Sequence, residues 1–139
     1  MRRLFPKRRL AGWRSRYRMF RRLYRIHRAE KGARAERLLR SWLSSAQREQ
    51  FDAKRHFDVI GCDSGKHYRI HWGRTSNVYE VDETGEPRNG WCFAPVGPLQ
   101  EGDVMLAQKI ALETSEYKAL ALANKFFPRV SFQASRGSR

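Results

Sequence analysis

The sequence has little cysteine, no long apolar run and few acidic residues. Two cysteines, Cys62 and Cys92, among 139 residues are too few for a fold held by disulfides. No run of about 18 apolar residues is present, which excludes a transmembrane helix. The first 43 residues lack an uninterrupted apolar stretch of seven, so we expect no secretory signal and reduced thiols. Acidic residues number 14 against 29 Lys and Arg, and the net charge of +15 favours an anionic partner.

The positive charge is concentrated at one end of the chain. Residues 1–40 hold 16 Lys and Arg against two Glu, whereas residues 41–139 hold 13 basic and 12 acidic residues. We therefore predict a basic helical arm at 1–40, a domain at 41–127, and a disordered tail at 128–139. Arginine outnumbers lysine by 22 to 7. Guanidinium groups bind phosphate bidentately and stack on bases, which favours nucleic acid, although a GC-rich genome would also raise the arginine content.

Aromatic residues recur at helical spacing within the arm. Residues three or four positions apart share one side of a helix, and this spacing relates five residues of the arm: Trp13, Tyr17, Phe20, Tyr24 and His27. We call the first four of these the aromatic stripe. The arginine face, to which we assign phosphate contacts, comprises Arg14, Arg18, Arg21, Arg22, Arg25 and Arg28. Because the arginines repel one another, the helix needs either an anion for the arginines or a partner surface for the aromatics.

Two helical segments are predicted between the aromatic stripe and the strands. Gly32 predicts a break or a kink in the arm helix. Ser44 or Ser45 is expected to cap a short helix that ends near residues 54–56.

The remaining sequence predicts an α+β domain. Alternation and turn residues indicate four strands, at 57–61, 67–72, 78–82 and 91–94. A long helix then starts at Asp103, is interrupted at Thr114 or Ser115, and is capped by Asn124. Short connections between the strands predict an antiparallel meander. The expected architecture is a single small domain with a four-stranded antiparallel sheet, covered on one face by the long C-terminal helix and preceded by the Arg-rich amphipathic N-terminal helix.

The first hairpin can be given a register. If Cys62 faces His67 across a four-residue turn, Ile60 opposes Arg69 and Asp58 opposes His71. The opposite face is apolar and is predicted to pack on the long helix. Its residues are Val59, Tyr68, Ile70 and Trp72.

The strings FDVIGCDSGKHYRI, WCFAPVG, GDVMLAQKIALE and ALALAN are distinctive. Through them, residues 43–126 resemble a group of small uncharacterised bacterial proteins, mostly alphaproteobacterial. The resemblance implies a shared α+β domain and a cytoplasmic location. It implies no chemistry and does not extend to the arm.

Strand geometry argues against one candidate chemical site, and a missing third group argues against another. Cys62, His67, His71 and Cys92 have spacings typical of zinc ligands, but two histidines four residues apart on a strand lie about 13 Å from each other. Two ligands of one zinc lie within about 4 Å. Cys62 beside His67 could form a nucleophile–base pair, yet no orienting group or oxyanion feature accompanies it. We expect no metal, no cofactor and no enzymatic activity.

The sequence therefore predicts a small non-enzymatic binding protein. Nucleic acid, either DNA or RNA, is the first choice of partner and would be contacted mainly at its phosphates. In the alternative, the chain is a structural or assembly subunit whose arm docks on an acidic protein or on another copy, giving a homo-oligomer. A membrane-peripheral protein is the third reading. The aromatic stripe would contact the partner or stack on bases.

Overall fold

The structure is a computed structural model that describes residues 8–129, with side chains from residue 12 onward. The elements in chain order are α1 (Arg8–Trp42), α2 (Ser45–Lys54), β1 (His56–Ile60), β2 (His67–His71), β3 (Val78–Val81), β4 (Pro87–Cys92), α3 (Glu101–Leu122) and β5 (Asn124–Phe126). The strands form one antiparallel sheet in the order β1-β2-β3-β4-β5. The predicted α+β class is confirmed. Residues 1–7 of the predicted arm and 130–139 of the predicted tail lie outside the described residues.

The prediction of four strands is wrong, because a fifth strand follows α3. The backbone leaves the helix at Ala123, one residue before the expected cap, and adopts an extended conformation with φ −85° and ψ 152°. Asn124–Phe126 then pairs antiparallel with Gly90–Cys92. The fourth strand also begins earlier than predicted, at Pro87, because a tight turn at 82–86 closes the β3–β4 hairpin.

The core lies between one face of the sheet and the three helices. Its buried apolar side chains come from every helix and from the first three strands: Leu39, Leu43, Phe51, Phe57, Val59, Tyr68, Ile70, Val78, Met105, Leu106 and Leu112. Helix α3 packs on β1 and β2 and also along α1. The C-terminal helix thus covers one face of the sheet, as predicted, and the end of α1 covers α3.

Helix α1 crosses the predicted boundary between arm and domain at residue 40. Ala35 and Leu39 are buried, and a Cβ atom at Gly102 of α3 would lie 2.6 Å from the carbonyl carbon of Ala35. Only glycine permits this approach of the two helices. The predicted break at Gly32 is wrong: the helix continues through it, and packing of the next turns against α3 offsets the roughly 1 kcal/mol that an internal glycine costs.

The first hairpin has the predicted faces but not the predicted register. Ile60 opposes His67, Asp58 opposes Arg69, and His56 opposes His71. The connection at 61–66 is therefore six residues long rather than four. A shift by two residues keeps every side chain on its face, so Val59, Tyr68 and Ile70 are still buried, whereas Trp72 lies beyond the end of β2 and is 37% exposed.

Two local predictions in the helices are confirmed. Ser44 caps α2 by accepting a hydrogen bond from the Gln47 N–H, and the Gln47 side chain accepts one from the Ser44 N–H. Ser115 interrupts α3 with a non-helical φ of −154° and ψ of 48°. Within residues 8–129, no helix is long and apolar enough to span a membrane.

Candidate functional site

Much of α1 extends beyond the domain as an exposed helix. Every residue from 12 to 31 is solvent-exposed, and we call this segment the exposed arm. A helix of this length spans about 30 Å, at about 1.5 Å per residue. The exposed arm is therefore a projecting element, and its surfaces are available to a partner.

The arginine face occupies one side of the exposed arm. At 3.6 residues per turn, its six arginines fall within about 120° of the helix circumference and along about 21 Å of its axis. In the part of the chain whose side chains are described, none of the six is in an ion pair. The ion pairs of α1 begin only where it joins the domain, at Glu36 with Arg55 (2.8 Å) and at Arg40 with Asp52. The arginine face is therefore an uncompensated cationic strip.

The aromatic stripe is equally uncovered. Trp13 is 73% exposed and Phe20 is 69% exposed, and Tyr17 and Tyr24 are also exposed. Helical spacing alone would favour docking of the stripe on the chain's own domain, but Trp13, Tyr17 and Phe20 are exposed, and among the described residues of the stripe Tyr24 alone lines a cleft beside the domain. One internal contact is present: the Arg21 guanidinium lies 5.8 Å from the centre of the Tyr17 ring.

The end of the exposed arm meets the domain at a cleft that adds a further cation, Arg74, and one carboxylate, Glu101. The cleft, about 330 Å³ in volume, lies between α1 and the loops before β3 and α3. Tyr24, Arg28 and Lys31 line it from α1, and Arg74 lines it from the β2–β3 loop. Arg74 donates a hydrogen bond to the Leu99 carbonyl oxygen at 3.3 Å. Sequence reasoning missed Arg74, because a single arginine in a turn gives no signal until the fold places it.

The outer face of the sheet, opposite the helices, carries a row of four aromatic rings. Neighbouring ring centroids are 5.1 Å apart for His56 and His71, 5.2 Å for His71 and Tyr79, and 5.6 Å for Tyr79 and Phe126. We call these four residues the sheet row. It crosses β4 at Gly90, where an added Cβ would lie 2.2 Å from the Phe126 ring. Because glycine has no side chain, the Phe126 ring of β5 can lie over Gly90 and contact Tyr79 of β3.

The sheet row borders a concave surface of about 820 Å³. Arg69, Phe127 and Arg129 also line it, as do residues 75–77 of the β2–β3 loop. Arg69 is committed to Asp58, with Nε to Oδ1 at 2.8 Å and Nη2 to Oδ2 at 3.0 Å. Arg129 is exposed, and no carboxylate among the described residues lines this cavity. The surface therefore combines aromatic rings with net positive charge.

The two histidines of the sheet row are held neutral. Burial is the main cause that lowers the pKa of each. Repulsion from Arg69 adds to it at His56, and at His71 the repulsion that two protonated rings would exert on each other adds to it, followed by that of Arg69. These rings therefore contribute stacking surface near neutral pH rather than charge. His67, which sequence analysis grouped with His71, lies exposed at the other end of β2.

A buried carboxylate sets the conformation of the loop at 61–66. Glu116 accepts hydrogen bonds from the N–H groups of Asp63 and Ser64, both at 2.8 Å, from the Tyr68 hydroxyl at 2.6 Å, and from the Ser64 hydroxyl. Four donors occupy the lone-pair sites of a carboxylate. Potential metal-ligand atoms of Cys62, Asp63 and Glu116 lie within 4.8 Å of one another, but the Glu116 oxygens are already satisfied. This cluster therefore has a structural role, because its hydrogen bonds fix the conformation of the loop.

No family model, curated protein or solved structure matches the chain. The resemblance of residues 43–126 to small alphaproteobacterial proteins stays a prediction.

Proposed function

We propose that this chain is a non-enzymatic nucleic-acid-binding protein that contacts phosphates through the arginine face. The observation that carries the proposal is the strip of six arginines, exposed and without ion pairs, on a helix that extends beyond the domain. A helix that served only to pack would have no use for uncompensated charge along one side. A cytoplasmic location belongs to the same proposal.

The spacing of the strip suits a polyanion. Six arginines within about 21 Å match the dense charge of a duplex, which carries about one phosphate per 1.7 Å of axis. Arginine forks bind phosphate oxygens bidentately, so each contact is stronger than one made by lysine. Contacts of this kind fix position but do not read bases, so we expect affinity with little sequence preference.

The test is the salt dependence of binding by the whole chain. Six neutralised phosphates give a slope of about −5 for log K against log[salt] on duplex DNA, at about −0.9 per phosphate. Duplex DNA and structured RNA serve as ligands, and anionic liposomes test the membrane reading in parallel. A slope near zero on both nucleic acids, or binding to liposomes alone, contradicts the proposal.

A second candidate function rests on the aromatic stripe. Four large aromatic side chains exposed on one side of a helix are unusual unless something covers them. A second copy of the chain, or an acidic protein, could dock there and leave most of the arginine face free, since the centres of the two surfaces lie about 110° apart around the helix. Sedimentation of Tyr17→Ala with Phe20→Ala tests this. A drop in oligomer mass favours an assembly subunit, and an unchanged mass excludes docking of a second copy.

A further inference from the structure

The outer face of the sheet offers planar ligands a second aromatic surface, separate from the aromatic stripe of the arm. Tyr79 and Phe126 contribute neighbouring rings from β3 and β5, with centroids 5.6 Å apart. Phe127 adds a third ring at the rim, 78% exposed and with the Lys125 amine 5.8 Å from its centre. Rings of this type stack on nucleobases with little regard to base identity, because every base has a π-face.

The charge around these rings fits a ligand that carries phosphate. Arg129 is exposed at the rim of the cavity, and no carboxylate among the described residues lines it. Arg69 forms an ion pair with Asp58, so its charge is neutralised and we do not assign it to ligand binding. A cavity with aromatic walls and a cationic rim complements a base and its phosphate together.

The β2–β3 loop contributes residues both to the cavity on the sheet and to the cleft beside the arm. Residues 75–77 of the β2–β3 loop line the cavity on the outer face of the sheet. Arg74 of the same loop lines the cleft beside Arg28 and Lys31. A nucleic-acid strand held along the arginine face would therefore meet Arg74 next, and then the cavity.

We propose that the outer sheet face binds unpaired nucleobases, so that the chain takes single-stranded nucleic acid across Tyr79, Phe126 and Phe127 while the arm holds the adjoining backbone. This inference rests on the proposed function of the arm. Bases within a duplex stack on each other and cannot reach the rings, so the ligand of this face is a single-stranded segment. Unpaired RNA and unpaired DNA share the chemistry, and the experiment distinguishes them.

The first test compares variants on four ligands: single-stranded RNA, single-stranded DNA and a duplex of each. Tyr79→Leu removes the ring but keeps apolar volume, and Phe127→Ala alters a side chain too exposed to affect folding. Tyr117→Leu, at an exposed tyrosine on α3, is the matched control. We expect each of the first two variants to weaken binding of the preferred single strand about 5- to 100-fold, with duplex binding unchanged and the control like wild type.

The second test locates the bases directly. Crosslinking of a 4-thiouridine oligonucleotide to the whole chain, followed by tryptic digestion, should label the peptides 75–88 and 126–129. Labels confined to α1, or variants at Tyr79 and Phe127 that bind single strands like wild type, overturn this inference but leave the proposed function of the arm standing. Absence of binding to all four ligands refutes both.

Discussion

At the scale of single residues, Glu116 determines the conformation of the loop between the first two strands. Burial alone would raise the pKa of this carboxyl, but hydrogen bonds from Ser64, Tyr68 and the backbone of Asp63 outweigh burial and lower the pKa below its ordinary value. The same environment raises the pKa of Tyr68, through burial first and its bond to Glu116 second. Glu116 is therefore ionised at neutral pH, and the ionised form stabilises the fold.

We expect Glu116→Gln to lower the free energy of unfolding by about 2 kcal/mol at pH 7, because the amide faces donors with a donor of its own. A carboxyl whose pKa is depressed by folding stabilises the protein above its unfolded pKa and loses that contribution as the pH falls through the folded pKa. The difference between wild type and the variant should therefore shrink as the pH falls below about 4.5. Denaturant titrations across pH measure this.

Glu49→Gln is the matched control for this substitution. Glu49 is an exposed carboxylate on α2, so we expect a change of less than about 0.5 kcal/mol at any pH. Equal stability of Glu116→Gln and wild type at pH 7 would show that the buried carboxylate is not needed to hold the loop.

The role of Glu116 could not be predicted from the sequence. The turn residues Asp63, Ser64 and Gly65 predicted a turn, and the alternation of the residues after them placed Tyr68 and Ile70 correctly on the buried face. The length of the turn depends on a carboxylate about 50 positions further along the chain. Local patterns carry no information about such a partner, so the predicted register was wrong by two residues.

At the scale of elements, burial divides α1 into the exposed arm and a segment that packs on the domain. We call this second segment, residues 32–42, the root. Leu39 has no exposed surface, whereas its neighbour Leu38 is 48% exposed. We expect Leu39→Ala to cost about 2–5 kcal/mol of stability, because it leaves a cavity between α1 and the sheet. The same substitution at Leu38 should cost less than about 1 kcal/mol. Thermal or denaturant unfolding of the two variants measures both losses of stability, and equal losses would contradict the described packing.

Two truncated chains test where along α1 the arm ends and the folded domain begins. We expect removal of residues 1–28 to leave a cooperative unfolding transition, since every described residue removed is exposed. Removal of residues 1–40, the boundary predicted from charge, also takes away Ala35 and Leu39 and should lower the melting temperature clearly. Melting temperatures of the two truncated chains that agree within 1–2 °C would show that the root contributes nothing.

The elements that could be predicted from sequence are those with a strong local signal. The capped helix α2 and the interruption at Ser115 follow from hydrogen-bonding side chains at recognisable positions. The three-residue strand β5 has no such signal, because it is defined only by pairing with β4. The sheet row was missed for the same reason, since Gly90 and Phe126 become neighbours only through that pairing.

At the scale of the whole molecule, two cationic surfaces meet at the β2–β3 loop. The charge imbalance of residues 1–40 could be predicted by counting, and so could the arginine face. The position of that face relative to the sheet could not, because Arg74 joins the two surfaces through the tertiary fold. We propose that the arm contacts phosphates and that the outer face of the sheet contacts unpaired bases.

The measurement that tests the central claim most directly is the salt slope of duplex DNA binding after Arg18, Arg21 and Arg25 are all changed to Gln. Gln keeps helix propensity and removes the charges. The control changes three exposed basic residues of α2 and α3, Arg48, Lys54 and Lys118, to Gln and so lowers the net charge equally. The account predicts a slope smaller by about 2.7 for the arm variant and little changed for the control. Equal slopes for wild type and the arm variant, or equal losses in both variants, would contradict it.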